Sequence, residues 1–246
     1  MTRLYLITPS HFQLSAFAGQ LEDALSGGDV GCVQLRMKHE DSTVIPAEAG
    51  IQRGVSTPQT AFLRGLDASL RWHDSVREAA KILMPLCHAR NIPFIINDYP
   101  EIARDVGADG VHLGDEDVGV AEARKIVGAG KIIGVSCYAS RDRAFTAGEE
   151  GADYVAFGQF YETKTKPAKG HPTPEILEFW SKYTTIPCVA IGGITPENCA
   201  PLVKAGADFI AVVTGVWEHP KGARAAVAEY NAAITAAQKD QEPPRP

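Results

Sequence analysis

The sequence predicts a single (β/α)8 barrel with an insertion after the second strand. Three observations carry that prediction. Short, continuous apolar runs alternate with amphipathic stretches eight times along the 246 residues. Set apart from the insertion, the eight βα units occupy about 215 residues, a length that suits one such barrel. A five-residue phrase also recurs: GADGV at 107–111, GADYV at 151–155 and GADFI at 206–210, each ending a helical pattern and leading into a strand. The runs are rich in β-branched residues and lack polar alternation, as in a parallel sheet covered on both faces. A doubly wound open sheet would carry a glycine-rich turn after the first strand, but here the turn reads Thr8-Pro9-Ser10-His11.

The elements follow in order. Residues 4–8 (LYLIT) form the first strand, stopped by Pro9-Ser10. Residues 11–25 are helical, with Phe12, Leu14, Phe17, Leu21 and Leu25 about a turn apart, and Gly27-Gly28 ends them. Residues 32–35 form the second strand and run into Arg36 and Lys38. A connection of usual length would then be about 2–6 residues. Instead, 41–72 reads as an insertion in the β2–α2 loop. Its C-terminal half forms a short amphipathic helix, capped by Thr57, begun by Pro58 and marked by Phe62, Leu66 and Leu70. A separate helix resumes over 74–90, where Pro85 is expected to kink or shorten it.

The remaining strands are read at 93–96, 110–113, 131–135, 154–157, 187–191 and 209–213. The helices between them lie at 100–106, 118–127, 140–150, 173–183 and, with Thr195 as N-cap, 195–206. An Ala-rich helix over 223–237 completes the barrel domain, 1–237; 238–246 (QKDQEPPRP) has no apolar content and is expected to be a disordered tail.

Composition narrows the function classes. A net charge of −6, without a basic cluster, argues against nucleic acid as the main partner. No run reaches the length of a membrane span, and the short apolar run after Met1-Thr2-Arg3 predicts no signal peptide. The five cysteines form no CxxC pair, and Cys32, Cys137 and Cys188 fall in strands, so buried reduced thiols in a cytoplasmic protein are expected. The sequence leaves homo-oligomerisation open.

In a barrel of this type the chemistry sits where strands end. Strand 2 ends with Gln34, Arg36 and Lys38, and strand 3 with Asn97 and Asp98. Strand 4 ends with Asp115, Glu116 and Asp117, and strand 5 with Ser136. Strand 6 opens into 158–167, GQFYETKTKP, where Thr163 and Thr165 alternate with Lys164 and Lys166. Strands 7 and 8 end in Gly192-Gly193 and Thr214-Gly215. Arg36, Lys38 and Lys166 are cations suited to a polyanion. Asp98 and an acid from 115–117 are hard oxygen ligands suited to Mg²⁺ held together with substrate phosphates. The glycine turns offer backbone N–H groups to a second phosphate. The site therefore reads as holding a metal-chelating diphosphate and a monophosphate. His112, alternating with apolar neighbours on strand 4, reads as a packed residue or a support for the site rather than a base.

QLRMK (34–38), INDYPEIA (96–103), GADGVHLGDED (107–117), GVS (134–136), YETKTK (161–166), AIGGIT (190–195) and GADFIAVVTG (206–215) stand in an order that resembles the thiamine-phosphate synthase (thiamine-phosphate pyrophosphorylase) family. The resemblance spans most of the chain apart from 41–72 and the tail. It implies a Mg²⁺-dependent transferase that joins 4-amino-2-methyl-5-(diphosphooxymethyl)pyrimidine to 4-methyl-5-(2-phosphooxyethyl)thiazole, giving thiamine phosphate and diphosphate. By motif, Gln34, Arg36, Lys38, Asn97, Ser136 and Lys166 would hold the pyrimidine diphosphate, with Arg36, Lys38 and Lys166 stabilising the departing charge. Asp98 and Asp117 would bind the metal, and Thr163, Lys164, Thr165, Gly193, Val213 and Thr214 the thiazole phosphate. The chain departs from the family pattern at Pro9, where an acid is common, Tyr138 (histidine), Glu162 (proline) and Thr214 (serine). Two other readings are a thiazole tautomerase-like isomerase, which would not need the three cations and two acids together, and a phosphate-ligand binding protein inactivated by the insertion.

Overall fold

A computed structural model describes residues 1–38, 58–163 and 170–240, with the side chains of 58–71 left aside. Among these residues the chain runs β1 (Arg3–Ile7), α1 (Leu14–Leu25), β2 (Val30–Leu35), α2 (Pro58–His88), β3 (Phe94–Asn97), α3 (Pro100–Val106), β4 (Gly110–Leu113) and α4 (Val120–Val127). It continues through β5 (Ile132–Tyr138), α5 (Arg141–Glu149), β6 (Tyr154–Gly158), α6 (Glu175–Tyr183), β7 (Cys188–Ile191), α7 (Ala200–Lys204), β8 (Phe209–Val212), α8 (Thr214–Trp217) and α9 (Ala223–Lys239). The strands are parallel and close in sequence order, with β8 paired to β1. This is the expected (β/α)8 barrel.

The two-residue period of the strands splits the core in two. Leu4, Leu6, Val33, Leu35, Ile96 and Val111 point outward and pack under the helices. Tyr5, Ile7, Cys32, Ile95, Tyr154, Ala156, Val189 and Ala211 point inward and fill the barrel. Both faces are covered, so the strands show no polar alternation. All five cysteines are free and buried. Burial pushes the Cys87, Cys137 and Cys188 thiols up to about 12, so they stay protonated.

The recurring GAD phrase has one structural role, repeated. Gly107, Gly151 and Gly206 take positive φ (73°, 93° and 95°) where a helix must turn back toward the sheet. Ala108, Ala152 and Ala207 are buried in the tight corner that follows. Each Asp then clamps the bottom of the preceding strand twice, by its carboxylate and by its backbone N–H. The Asp109, Asp153 and Asp208 carboxylates accept from the N–H groups of Phe94 (2.7 Å), Ile133 (2.8 Å) and Cys188 (2.8 Å). Their own N–H groups donate to the carbonyls of the same three residues at 3.0, 2.7 and 3.0 Å. These pins lie at the N-terminal face, away from the strand ends that carry the chemistry.

Four local expectations are corrected. First, α2 is one helix from Pro58 to His88, without a break near residues 72–74. The part of the expected insertion from 58 onward therefore belongs to α2, and 39–57 lies outside the described residues. Pro85 is tolerated because it sits on the exposed side, with exposed Lys81 one turn back, so the carbonyl it cannot satisfy faces water. Second, Thr195 does not cap α7, which begins at Ala200. Asn198 instead organises a turn there, accepting from the Thr195 N–H (2.7 Å) and donating to the Gly193 carbonyl (3.0 Å). Third, Thr214-Gly215 opens a short helix, α8, rather than a bare turn. Fourth, Gln238 and Lys239 belong to α9, and Gln238 donates to the Thr2 carbonyl (3.3 Å) across the β8–β1 seam. Of the expected tail, 241–246 lies outside the described residues.

Candidate active site

A cleft of about 300 Å³ opens at the C-terminal end of the barrel. Gln34, Arg36, Lys38, Asn97, Asp98, Asp117, Ser136, Thr163, Gly193, Val213 and Thr214 all line it. Lys164, Thr165 and Lys166 lie outside the described residues. So every expected site residue that is described falls on one cavity.

The cation side is built by β1 and β2. Thr8, fully buried, accepts from the Arg36 N–H at 2.9 Å through Oγ1, and Ser10 accepts from the Lys38 N–H at 3.2 Å. The end of β1 thus holds the exit of β2 in place. Burial lowers the Arg36 guanidinium below its ordinary value, while the Asp98 carboxylate opposes that shift. Arg36 and Asp98 are therefore interacting unlike charges at the exits of the neighbouring strands β2 and β3.

Asp98 has φ 68°, in the left-handed region. Aspartate is one of the few residues that tolerate this conformation. Its N–H donates to the His112 carbonyl at 2.8 Å, which holds the β3 exit against β4. The residue after it, Tyr99, occupies the N-cap position of α3 without a side-chain cap. Asp98 is therefore not the cap of that helix, and its carboxylate is presented to the cleft. Tyr99 packs in turn on Trp72 of α2, with ring centroids 4.8 Å apart.

Next along the rim, the Asp117 carboxylate accepts from the Gly114 N–H at 2.6 Å, closing the turn after β4. Its neighbour Asp115 accepts from the Tyr138 hydroxyl at 2.8 Å. Tyr138 also takes positive φ, 54°, at the end of β5. Burial first, and Asp115 second, raise its phenol to about 12. The donor set of Asp98 and Asp117 fits a hard divalent cation that completes its shell with substrate phosphate and water. Among the described residues no group of three or more His, Cys, Asp or Glu side chains could hold a metal without such help.

Arg143 on α5 went unnoticed in the sequence. Its Nε donates to the Ser136 carbonyl (2.7 Å) and its Nη2 to the Gly114 carbonyl (3.0 Å), tying the exits of β5 and β4 together. Nothing in the residues around it signals this, because the contact depends on how α5 packs over the barrel.

The β7–β8 side is made of backbone. Gly192 and Gly193 have φ 106° and 62°, and a Cβ on Gly193 would lie 2.4 Å from the Glu162 carbonyl oxygen. The loop after β6 therefore passes directly over this turn, joined to it by Tyr161 N–H to Gly192 carbonyl (3.0 Å) and Tyr161 hydroxyl to Asn198 carbonyl (2.8 Å). Beyond β8, the first N–H groups of α8 have no partners within the helix and lie where such barrels hold phosphate. Tyr230 of α9 supports both turns. Its hydroxyl donates to the Ile194 carbonyl at 2.8 Å, and it sits where a Cβ on Gly215 would be.

Six buried or half-buried polar residues also join across the barrel. Gln34 Nε2 donates to Asn97 Oδ1 (2.5 Å), and the Tyr5 hydroxyl donates to Gln34 Oε1 (3.1 Å). Tyr5 and Tyr154 share a hydroxyl contact of 2.8 Å. His112 bridges Tyr154 (Nδ1, 2.9 Å) to Ser136 Oγ (Nε2, 2.9 Å). His112 is thus the buried, supporting residue expected from its strand. The roles of Tyr5 and Tyr154 were not foreseen; an inward-facing tyrosine is legible only once the barrel register is known.

Comparison with known proteins agrees with this geometry. The family model described as thiamine monophosphate synthase matches residues 4–216. A thiamine-phosphate synthase of Rhodospirillum centenum is 49% identical over 93% of this chain and 96% of its own length. That of Hyphomonas neptunium is 44% identical over 94% of this chain and 93% of its own. The solved thiamine phosphate pyrophosphorylase of Pyrococcus furiosus superposes with a TM-score of 0.71 at 27% identity, covering 96% of both chains. The chain belongs to the thiamine monophosphate synthase family.

Proposed function

We propose that this chain is a transferase that condenses 4-amino-2-methyl-5-(diphosphooxymethyl)pyrimidine with 4-methyl-5-(2-phosphooxyethyl)thiazole, releasing diphosphate. The observation that carries the reading is the meeting, in one cleft, of cations, two carboxylates and a glycine-rich backbone cradle. Gln34, Asn97 and Ser136 hold the pyrimidine. Arg36 and Lys38, with Lys166 assigned by its motif, hold the diphosphate. Thr163, Gly193, Val213 and Thr214, with Lys164 and Thr165 by motif, hold the thiazole phosphate.

Asp98 and Asp117 would hold Mg²⁺, which when bound with the substrate neutralises charge on the diphosphate. The bond between the pyrimidine methylene carbon and the diphosphate oxygen breaks, and its electron pair leaves with diphosphate. Arg36, half-buried, and Lys38, exposed at the mouth, stabilise that charge electrostatically as it develops. The electron-rich aminopyrimidine supports the methylene cation until the thiazole nitrogen, held beside it, supplies the new bonding pair. No protein nucleophile takes part, and none of the five buried cysteines is placed to act as one.

The test is product identity. Purified protein given both substrates and Mg²⁺ should form a species with the mass of thiamine phosphate. Isomerisation of a thiazole substrate with the pyrimidine diphosphate left intact would identify a tautomerase instead.

A further inference from the structure

The six-residue chain across the barrel has a direction, and that direction follows from what each group can donate. Its members come one from each of β1 to β6, and all six line the cleft. Gln34 Oε1 is an acceptor only, so the single Tyr5 proton is committed to it. Tyr5 Oη must then accept from Tyr154, whose own proton is spent there. Tyr154 Oη must in turn accept from His112, which puts the imidazole proton on Nδ1. His112 Nε2 is left as an acceptor and takes the Ser136 proton. At the other end, Gln34 Nε2 donates to Asn97 Oδ1.

The outcome at the two ends is opposite. Ser136 Oγ, its proton used, offers the cleft lone pairs only. Asn97, with an Oδ1 lone pair taken by Gln34, keeps both Nδ2 N–H groups to donate. Burial raises both tyrosine hydroxyls well above the ordinary phenol value, and burial likewise keeps the adjacent Cys32 thiol protonated, so neither tyrosine nor that thiol carries a charge that could reverse it. Gly134 makes the path physically available: the Tyr154 ring lies where a Cβ at that position would be.

We infer that Tyr5, Tyr154 and His112 are positioning residues that set this polarity and so determine specificity for an aminopyrimidine. The ligand must bring an N–H donor to Ser136 and an acceptor to Asn97. A 4-aminopyrimidine does so with its exocyclic amino group and a ring nitrogen. A 4-oxopyrimidine inverts the pattern at the exocyclic position. The substrate class rests on the function proposed above; the polarity of the chain does not.

Two measurements test it. Side-chain ¹H–¹⁵N correlation spectra of the ligand-free protein, with the His112 signal assigned by its loss in His112→Gln, should show a neutral ring protonated on Nδ1. The Tyr154→Phe variant, which removes the acceptor, should lose that tautomer. A wild-type ring protonated on Nε2, or doubly protonated, overturns the inference without any substrate being present. In kinetics, wild type should prefer the 4-amino over the 4-oxo pyrimidine diphosphate in kcat/KM by at least ~100-fold, since a site built around buried hydrogen bonds rejects an analogue that leaves them unpaired. Tyr154→Phe and Tyr5→Phe should each narrow that ratio by about 10-fold, as expected for about 1.4 kcal/mol, with KM for the thiazole phosphate unchanged. Equal losses for both pyrimidines would mean a merely structural role and sink the proposal. Failure of wild type to use either pyrimidine would refute the functional reading and the specificity claim with it, while the tautomer would still decide the polarity.

Discussion

Asp98 combines a charge with a backbone conformation that few residues accept, and the two can be separated by substitution. Asparagine tolerates the left-handed region as aspartate does, so Asp98→Asn should keep the fold and lose metal-dependent turnover by about 100-fold or more, on the scale of a lost electrostatic contact to the transition state. Alanine does not tolerate it, so Asp98→Ala should in addition lower unfolding stability by about 1–2 kcal/mol. Denaturant titration beside steady-state rates checks both. Equal stability of the two variants would contradict the conformational account, and full activity of Asp98→Asn would contradict the metal role. At this scale the charged groups were legible because their types and their strand-end positions are both written in the chain. Tyr5, Tyr154 and Arg143 were not, since their meaning depends on which way a side chain faces across a closed barrel or on how a helix packs over it.

The elements are held in register at the bottom and shaped at the top by different devices. The Asp109, Asp153 and Asp208 pins each satisfy a backbone N–H of the preceding strand. Replacing any one by alanine should cost about 1–3 kcal/mol, the cost of leaving a buried donor without a partner. Because each pin joins a different strand pair, the three losses should add, and KM for both substrates should not change. A shift in KM without a change in thermal midpoint would contradict this division between the two ends. The top of the barrel offers a second test. Gly215→Ala would place a Cβ about where the Tyr230 hydroxyl lies, a separation of 2.2 Å, and should cost about 1–3 kcal/mol as an overpacked site. Tyr230→Phe removes the obstructing oxygen, so the double variant should be more stable than the sum of the single effects predicts. Strict additivity would mean that Gly215 and Tyr230 do not meet. The GAD repeat was visible in the sequence as a helix stop before a strand, yet its Asp gave no sign of its partner, because that contact crosses between strands about 15–20 residues apart. The continuity of α2 through residue 72 is not written in the sequence for a related reason: a local pattern shows where periodicity weakens, and tertiary packing decides whether the helix stops.

Across the whole molecule, the chain order of the strands becomes a division of chemical labour. β1 to β6 supply the polar chain, the cations and the acids, while β7 and β8 end in turns made of glycine and backbone. The barrel class was legible because eight short apolar runs, each followed by a helix, leave few ways to bury both faces of a parallel sheet. The site was legible in outline because that fold sends every strand end to one mouth. This mouth is proposed to work as a single site, in which a metal-held diphosphate departs and the thiazole nitrogen then captures the methylene cation left behind. Diphosphate release measures it most directly. With both substrates and Mg²⁺, wild type should release one diphosphate per thiamine phosphate formed, chelation of the metal should abolish release, and the Asp98→Asn substitution should slow it by about 100-fold or more. Release that continues unchanged after either treatment, or no release from wild type while the thiazole phosphate still binds, would contradict the account.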